Sequence, residues 1–423
     1  MLISLLWSLL IQPADTLTLP QAIQLGRARA IAATVARLGA RAAETRVGQR
    51  RADFLPNVSG QATYTRQTLN LDEFGLPLAS GVTDPFSLFH LRLRVQQTIF
   101  DPAAFGRLSS ARDSVIAAGF DAQTAGTVAG ATAGIAFLRA RSAEETVIAR
   151  QADSAVASRL LDQARQLNQA GITAAIDVTR SELNVATARS QLAVARNQRD
   201  RSRLDLLRAI DAPADTVLSL AQVIGGDLAT IPTAPAAASQ FAQAHRSELE
   251  AELQRLRVME RGRLAIRAEN LPSVGASATF TESGRQTGNL AGSYVAQLGV
   301  SIPMVDGWRR QFRTQEQSLR IEAQRARLID LGHQIDIEAR QALLDFSSAS
   351  EQVALARERL ALAARELSQA EERFLAGVAG SIETTTAQAG LVAARDGLIQ
   401  AGVAQAVARV ALFRALGILE QLQ

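Results

Sequence analysis

Four stretches of the chain alternate apolar and polar residues with period two. At 56–67, Val58, Gly60, Ala62 and Tyr64 fall on one side and Asn57, Ser59, Gln61, Thr63 and Thr65 on the other. At 88–100, Phe89, Leu91, Leu93 and Val95 oppose His90, Arg92, Arg94 and Gln96. At 272–283, Val274, Ala276, Ala278 and Phe280 oppose Ser273, Ser277, Thr279 and Thr281. At 292–304, Tyr294, Ala296, Leu298, Val300 and Ile302 stand against Gln297 and Ser301. Such alternation predicts four strands, each with one face in an apolar medium and the other wet.

Proline placement predicts the helices. Pro102 is followed by no proline until Pro213, and Pro303 by none to the end. Proline inside a helix costs about 3 kcal/mol, so its absence permits very long helices. Asp101-Pro102 places a capping carboxylate before a proline at the first helical position, and Asp306-Gly307 is expected to be its counterpart. A helix from Ala103 to Asn168 would reach about 100 Å at 1.5 Å per residue. Gly119, Gly126, Gly130 and Gly134 within it weaken helicity or allow close packing.

The same pattern is written twice. "LPNVSGQATYT" from Leu55 recurs as "LPSVGASATFT" from Leu271, 216 positions on (271 − 55). "AGITAAIDV" from Ala170 matches "AGVAGSIET" from Ala376, and "LLRAI" from Leu206 matches "LFRAL" from Leu412, both at an offset of 206. Three blocks in one order predict two tandem repeats at 15–210 and 239–423, joined by a Pro/Ala/Gly-rich segment at 211–238. Each repeat reads helix, strand, loop, strand, very long helix, glycine turn, helix. The fold class is therefore mainly α with a small β part.

Composition narrows the chemistry. All 45 basic residues are arginine, against 41 acidic ones, and the signs are interspersed. No basic stripe with interleaved aromatics is present, so no nucleic acid partner is expected. Without cysteine there is no disulfide framework, thiolate metal site or lipidated cysteine. His90, His245 and His333 lack metal-ligand spacing. There is no phosphate loop and no nucleophile elbow, so neither an enzyme nor a cofactor is expected. Leu2 to Ile11 is an apolar run too short to span a bilayer and right for an export signal, here 1–14 with cleavage near Ala14. No Lys or Arg precedes it. Every later apolar stretch is broken by Arg, Asp or Gln, so no transmembrane helix is expected.

Four strands cannot hide their own edges, and their apolar faces find no partner of matching length in the chain. A soluble sandwich is one solution; a closed barrel in lipid is the other. In lipid closure is compulsory, and four strands are too few to close around an open lumen. Several copies must then contribute.

At this point the chain resembles the TolC family of outer membrane efflux channels. The resemblance rests on the opening "LTLPQAIQLG", the duplicated "LPxVxxxAxxT", the capped arms, and the paired motifs "AGITAAIDV" and "AGVAGSIET". It implies a homotrimer with a 12-stranded β-barrel in outer membrane lipid, continued by a periplasmic α-helical barrel. It also implies a passive channel for efflux or type I secretion. Its partners would be a periplasmic adaptor (membrane fusion protein) and an inner-membrane efflux pump or ABC transporter. A soluble periplasmic helical-hairpin scaffold or adaptor is the alternative, but it leaves the alternating strands unexplained.

The resemblance assigns the turns at Gly171, Ile172, Gly377 and Val378 to adaptor docking. A helix–turn–helix needs those glycines in any case. Asp177 and Glu383 follow the turns at equal offset, and the resemblance puts them at the entrance gate. A carboxylate in a first helical turn is also favoured simply by the helix dipole. Ala379 and Thr386 stand where relatives carry further polar gate residues, so fewer polar links are expected. The period-two pattern places Arg92 and Arg94 on the lumen side of the barrel.

Overall fold

The computed structural model describes residues 16–74, 81–222, 232 and 234–422. The expected export signal at 1–14 lies outside them. The first repeat begins with a short strand β1 (Thr16–Leu17), helices α1 (Leu19–Arg29) and α2 (Ile31–Ala52), then strands β2 (Asn57–Gln67) and β3 (Phe86–Phe100). Helices α3 (Pro102–Gln169) and α4 (Ala175–Ala209) complete it, followed by a short strand β4 (Ser219–Leu220). The second repeat carries α5 (Pro235–His245), α6 (Ser247–Ala268), β5 (Ser273–Gln286), β6 (Asn289–Ser301), α7 (Arg309–Leu375) and α8 (Ser381–Ala415). The copies match closely in length. Helices α1 and α5 have 11 residues each, α2 and α6 have 22, α4 and α8 have 35, and α3 and α7 have 68 and 67.

Local chemistry explains the boundaries. Thr18 and Gln21 form a reciprocal capping box that starts α1. The Ala103 N–H donates to the Asp101 carboxylate (2.9 Å), which starts α3 at Pro102. Asp306 is not the simple counterpart expected. Gly307 and Trp308 both take left-handed backbone (φ 66° and 67°), and α7 begins only at Arg309. The Asp306 carboxylate therefore reaches across a wider turn to accept from the Arg310 N–H (3.1 Å) and Nε (2.7 Å). Those hydrogen bonds from Arg310 hold its pKa below the usual aspartate value.

The chain divides into two compact units. One comprises 39–119 and 251–328. Its centre is a four-stranded antiparallel sheet in the order β2-β3-β5-β6, so the repeats join through β3 and β5 and leave β2 and β6 as edges. The register sorts most side chains by polarity. One face carries rows such as Gly60–Leu93–Phe280–Tyr294 and Val58–Val95–Ala278–Ala296. The other carries Gln61–Arg92–Thr281–Ser293 and Ser59–Arg94–Thr279–Val295. Tyr294, Leu298 and Val300 on the apolar face are exposed in the single chain.

The other unit comprises 1–38, 120–250 and 329–423. Its core is built from Leu19 and Ile23 of α1, Phe137 of α3, Leu206 of α4, Ile335 of α7 and Phe413 of α8. Helix α1 crosses α3 so closely that a Cβ on Gly26 would lie 2.5 Å from the Ala133 Cβ. Gly130 and Gly134 of α3 face α1 for the same reason, whereas Gly119 has open space. Buried Arg246, between α5 and α6, binds Glu248, Glu338 (2.8 Å) and the Ala415 carbonyl at the end of α8. Helix α8 is long and apolar enough to cross a membrane by length and composition alone. Its apolarity has another use: Ala387, Leu391, Ala394, Val410, Leu412 and Phe413 are buried against neighbouring helices.

Candidate functional site: the helix-hairpin tips

Each long hairpin turns on the same motif. After α3, Gly171 adopts φ 74°, its N–H donates to the Asn168 carbonyl (2.9 Å), and the Ile172 N–H donates to the Leu167 carbonyl (2.9 Å). After α7, Gly377 adopts φ 69°, with Gly377 N–H to Phe374 (3.0 Å) and Val378 N–H to Arg373 (3.1 Å). This is the left-handed glycine cap that closes a helix end, and a Cβ there would be strained. Four aliphatic side chains are left exposed at the turns: Ile172 and Ile176 in the first repeat, Val378 and Ile382 in the second. The two tips are close enough that a Cβ on Gly377 would touch Ile172 at 3.5 Å.

The two acidic residues differ in setting. The Asp177 side chain is only 14 % exposed and pairs with Arg180 at 3.6 Å. It also accepts from the hydroxyl of buried Ser381 on α8. Two turns further along the same seam, Asn184 Nδ2 donates to Gln388 Oε1 at 2.6 Å. Helices α4 and α8 are thus held by two polar links spaced seven residues apart on each helix (184 − 177 and 388 − 381). Glu383, 44 % exposed, instead pairs with Arg373 Nε at 2.9 Å, which keeps it within the α7–α8 hairpin. Ala379 contributes only its backbone N–H, to the Arg373 carbonyl, and Thr386 is exposed.

Sequence reasoning missed a further cross-hairpin tie. Asp153 of α3, 4 % exposed, pairs with Arg150 at 3.0 Å and with Arg395 of α8. Arg150 also pairs with Asp396. Burial of the Asp153 carboxyl outweighs its two guanidinium partners and pushes its pKa above the usual aspartate value. An Arg and an Asp three apart look like an ordinary solvated helix pair in sequence. Only the approach of α8 turns them into a four-residue network around buried Asp153.

The remaining expected residues lie elsewhere. Arg92 and Arg94 are exposed on the polar face of the sheet, not at the tips. His245 Nδ1 lies 2.8 Å from the Phe241 carbonyl and its ring stacks on Phe241, a role in ending α5. His333 is exposed on α7. Among the described residues, no group of three or more His, Cys, Asp or Glu side chains could hold a metal ion.

The sequence model of the outer membrane efflux protein family matches residues 22–211 and 238–418. No curated protein matches the chain. Among solved structures, the Campylobacter jejuni CmeC outer membrane channel aligns with a TM-score of 0.81 at 14 % identity, over 95 % of this chain and 86 % of that one. A membrane protein from Pseudomonas aeruginosa aligns at 0.80 with 19 % identity, over 94 % and 93 %. VceC from Vibrio cholerae aligns at 0.78 with 14 % identity, over 94 % and 96 %.

Proposed function

Because the chain belongs to the outer membrane efflux protein family, we propose that three copies close into one twelve-stranded barrel in the outer membrane. The observation that carries this is the sheet. Its edges β2 and β6 are unpaired in one chain, and its faces sort into apolar and polar rows. A bilayer leaves no backbone edge unpaired, so β6 of one copy meets β2 of the next, apolar face to lipid and polar face to the lumen. In this reading residues 1–14 are the export signal and 211–238 join the two repeats. The long helices line a periplasmic tunnel, and the channel itself is passive.

The hairpin tips are the docking end for an adaptor coupled to an inner-membrane pump. Four exposed aliphatic side chains, repeated at equal spacing in the two halves, offer the apolar contacts such docking needs. Asp177 and Glu383 belong to the gate, with Asp177 the residue that ties the hairpins together.

The test is insertion. Ala278→Arg puts a charge on the apolar face and is expected to cost about 2–4 kcal/mol at mid-bilayer, whereas Thr279→Arg faces water and costs far less. The yield of detergent-extracted trimer, read by native mass, should collapse for the first variant only. A water-soluble monomer from the wild type would end the channel reading.

A further inference from the structure

The polar face of the sheet carries charge of one sign. Arg92 and Arg94 stand two residues apart on β3, on one face and roughly 7 Å from each other. Their cross-strand neighbours are Gln61 and Thr281 for Arg92, and Ser59 and Thr279 for Arg94, none of them charged. Neither guanidinium has an ion-pair partner among the described residues. The one carboxylate in the four strands, Glu282, sits in the row of Leu91 and Gly292, on the opposite face.

A second group of arginines lies where α3 leaves the sheet. Phe105 of α3 stacks on Phe54 (4.6 Å) and lies 6.1 Å from Phe100, whose strand partner is Val274 of the apolar face. Arg107 follows Phe105 by two positions in α3. It lines a recess of about 400 Å³ together with Arg46, Arg50 and Arg313. Arg50, Arg107 and Arg313 pair with Asp53, Asp101 and Glu269. Arg46 has no ion-pair partner among the described residues.

We propose that Arg92 and Arg94 form a binding comb for solutes that carry carboxylate, phosphate or sulfonate groups. A guanidinium presents a planar fork of donors that matches two oxygens of such a group. Uncharged neighbours hydrogen-bond the solute without neutralising the arginines. The proposal rests on the barrel reading, in which each copy adds one such pair to a shared lumen. Its field is short-ranged, within about 10 Å at 0.1 M salt, so it acts on solutes inside the barrel and not at the hairpin tips.

The experiment uses the full-length protein in planar bilayers, with pyrene trisulfonate as a polyanionic blocker added to the barrel side. Wild-type current should be blocked. In the double variant Arg92→Gln/Arg94→Gln, block should weaken by about tenfold or more, as the loss of charge-assisted hydrogen bonds requires. Arg66→Gln removes the same charge from the opposite face of β2 and should leave block unchanged. The absence of lysine gives a second arm that does not depend on the glutamine variant inserting. Arg94→Lys keeps the charge on a folded channel, and acetylation of that unique side chain should then relieve block, with no effect on acetylated wild type. Conducting channels whose block is unchanged by the glutamine pair and by acetylation would overturn the comb. A wild type that forms no channel would overturn the barrel reading and the comb with it.

Discussion

The two repeats match in helix length and in the geometry of their tips, yet they use equivalent acidic residues differently. Asp177 and Glu383 sit at matching positions after matching glycine turns. Asp177 is nearly buried and reaches across to Ser381 of the second repeat. Glu383 is half exposed and stays on Arg373 within its own hairpin. Asp153 follows the first pattern, reaching from α3 to Arg395 of α8. Asp177 and Asp153 of the first repeat reach the second, and Asp396 of the second reaches back to Arg150 of the first. Duplication copied the scaffold; divergence gave the equivalent tip carboxylates different partners.

That difference can be broken most forcefully at Asp153. Asp153→Ala leaves Arg150 on Asp396 but takes the carboxylate partner from Arg395, and is expected to cost about 1–3 kcal/mol. The melting temperature of the purified protein should fall sharply. Adding Arg395→Leu to Asp153→Leu should recover most of the loss, since an apolar pair carries no desolvation penalty. A double variant as unstable as the single one would show that the network does not act as a pair.

At the tips the comparison predicts unequal effects of equivalent changes. Asp177→Ala removes a cross-hairpin link and should raise the open probability of the channel in planar bilayers by roughly tenfold, as loss of one hydrogen bond to a charged group allows. Glu383→Ala removes a surface pair worth about 0–1 kcal/mol and should change open probability little. Equal effects would mean that the entrance does not distinguish the repeats.

The glycine turns test where the repeats are still alike. A β-branched residue in left-handed backbone costs about 1–2 kcal/mol, so Gly171→Val and Gly377→Val should each distort a tip by similar amounts. Adaptor cross-linking should fall in both while trimers still assemble. Loss of cross-linking from one variant alone would assign docking to a single hairpin.

The smallest effect concerns pH. The Asp153 carboxyl binds its proton more tightly in the fold than in the unfolded chain. Its contribution to stability is therefore greatest below the ordinary aspartate pKa and is lost as pH rises through the raised value. Relative to Asp153→Asn, the wild type should gain stability on acidification across that window. Thermal dissociation of both proteins at several pH values measures the difference, and parallel curves would place Asp153 in a solvated setting.

Much of this architecture was legible beforehand because its causes are local. Strands announce themselves by alternation, as in Ser59 to Tyr64 against Leu91 to Arg94. The arms show as proline-free stretches, and the tips as glycines, the residue that adopts left-handed backbone at least cost. Repetition of all three exposed the tandem design. Legibility failed where a residue's role depends on what packs against it. Asp306 had the look of a simple cap, but the left-handed Gly307-Trp308 step shifted the start of α7.

By itself, then, the amino-acid sequence determined the kinds of element, their order and the two-faced strands, because backbone preference and side-chain period act within a few residues. Tertiary structure alone decided that the repeats join through β3 and β5, leaving β2 and β6 as the open edges. It also decided that Arg150, Asp153, Arg395 and Asp396 form one network around buried Asp153. The reason is physical: pairing partners and desolvation are properties of surfaces brought together from distant parts of the chain, and no local pattern encodes which surfaces meet.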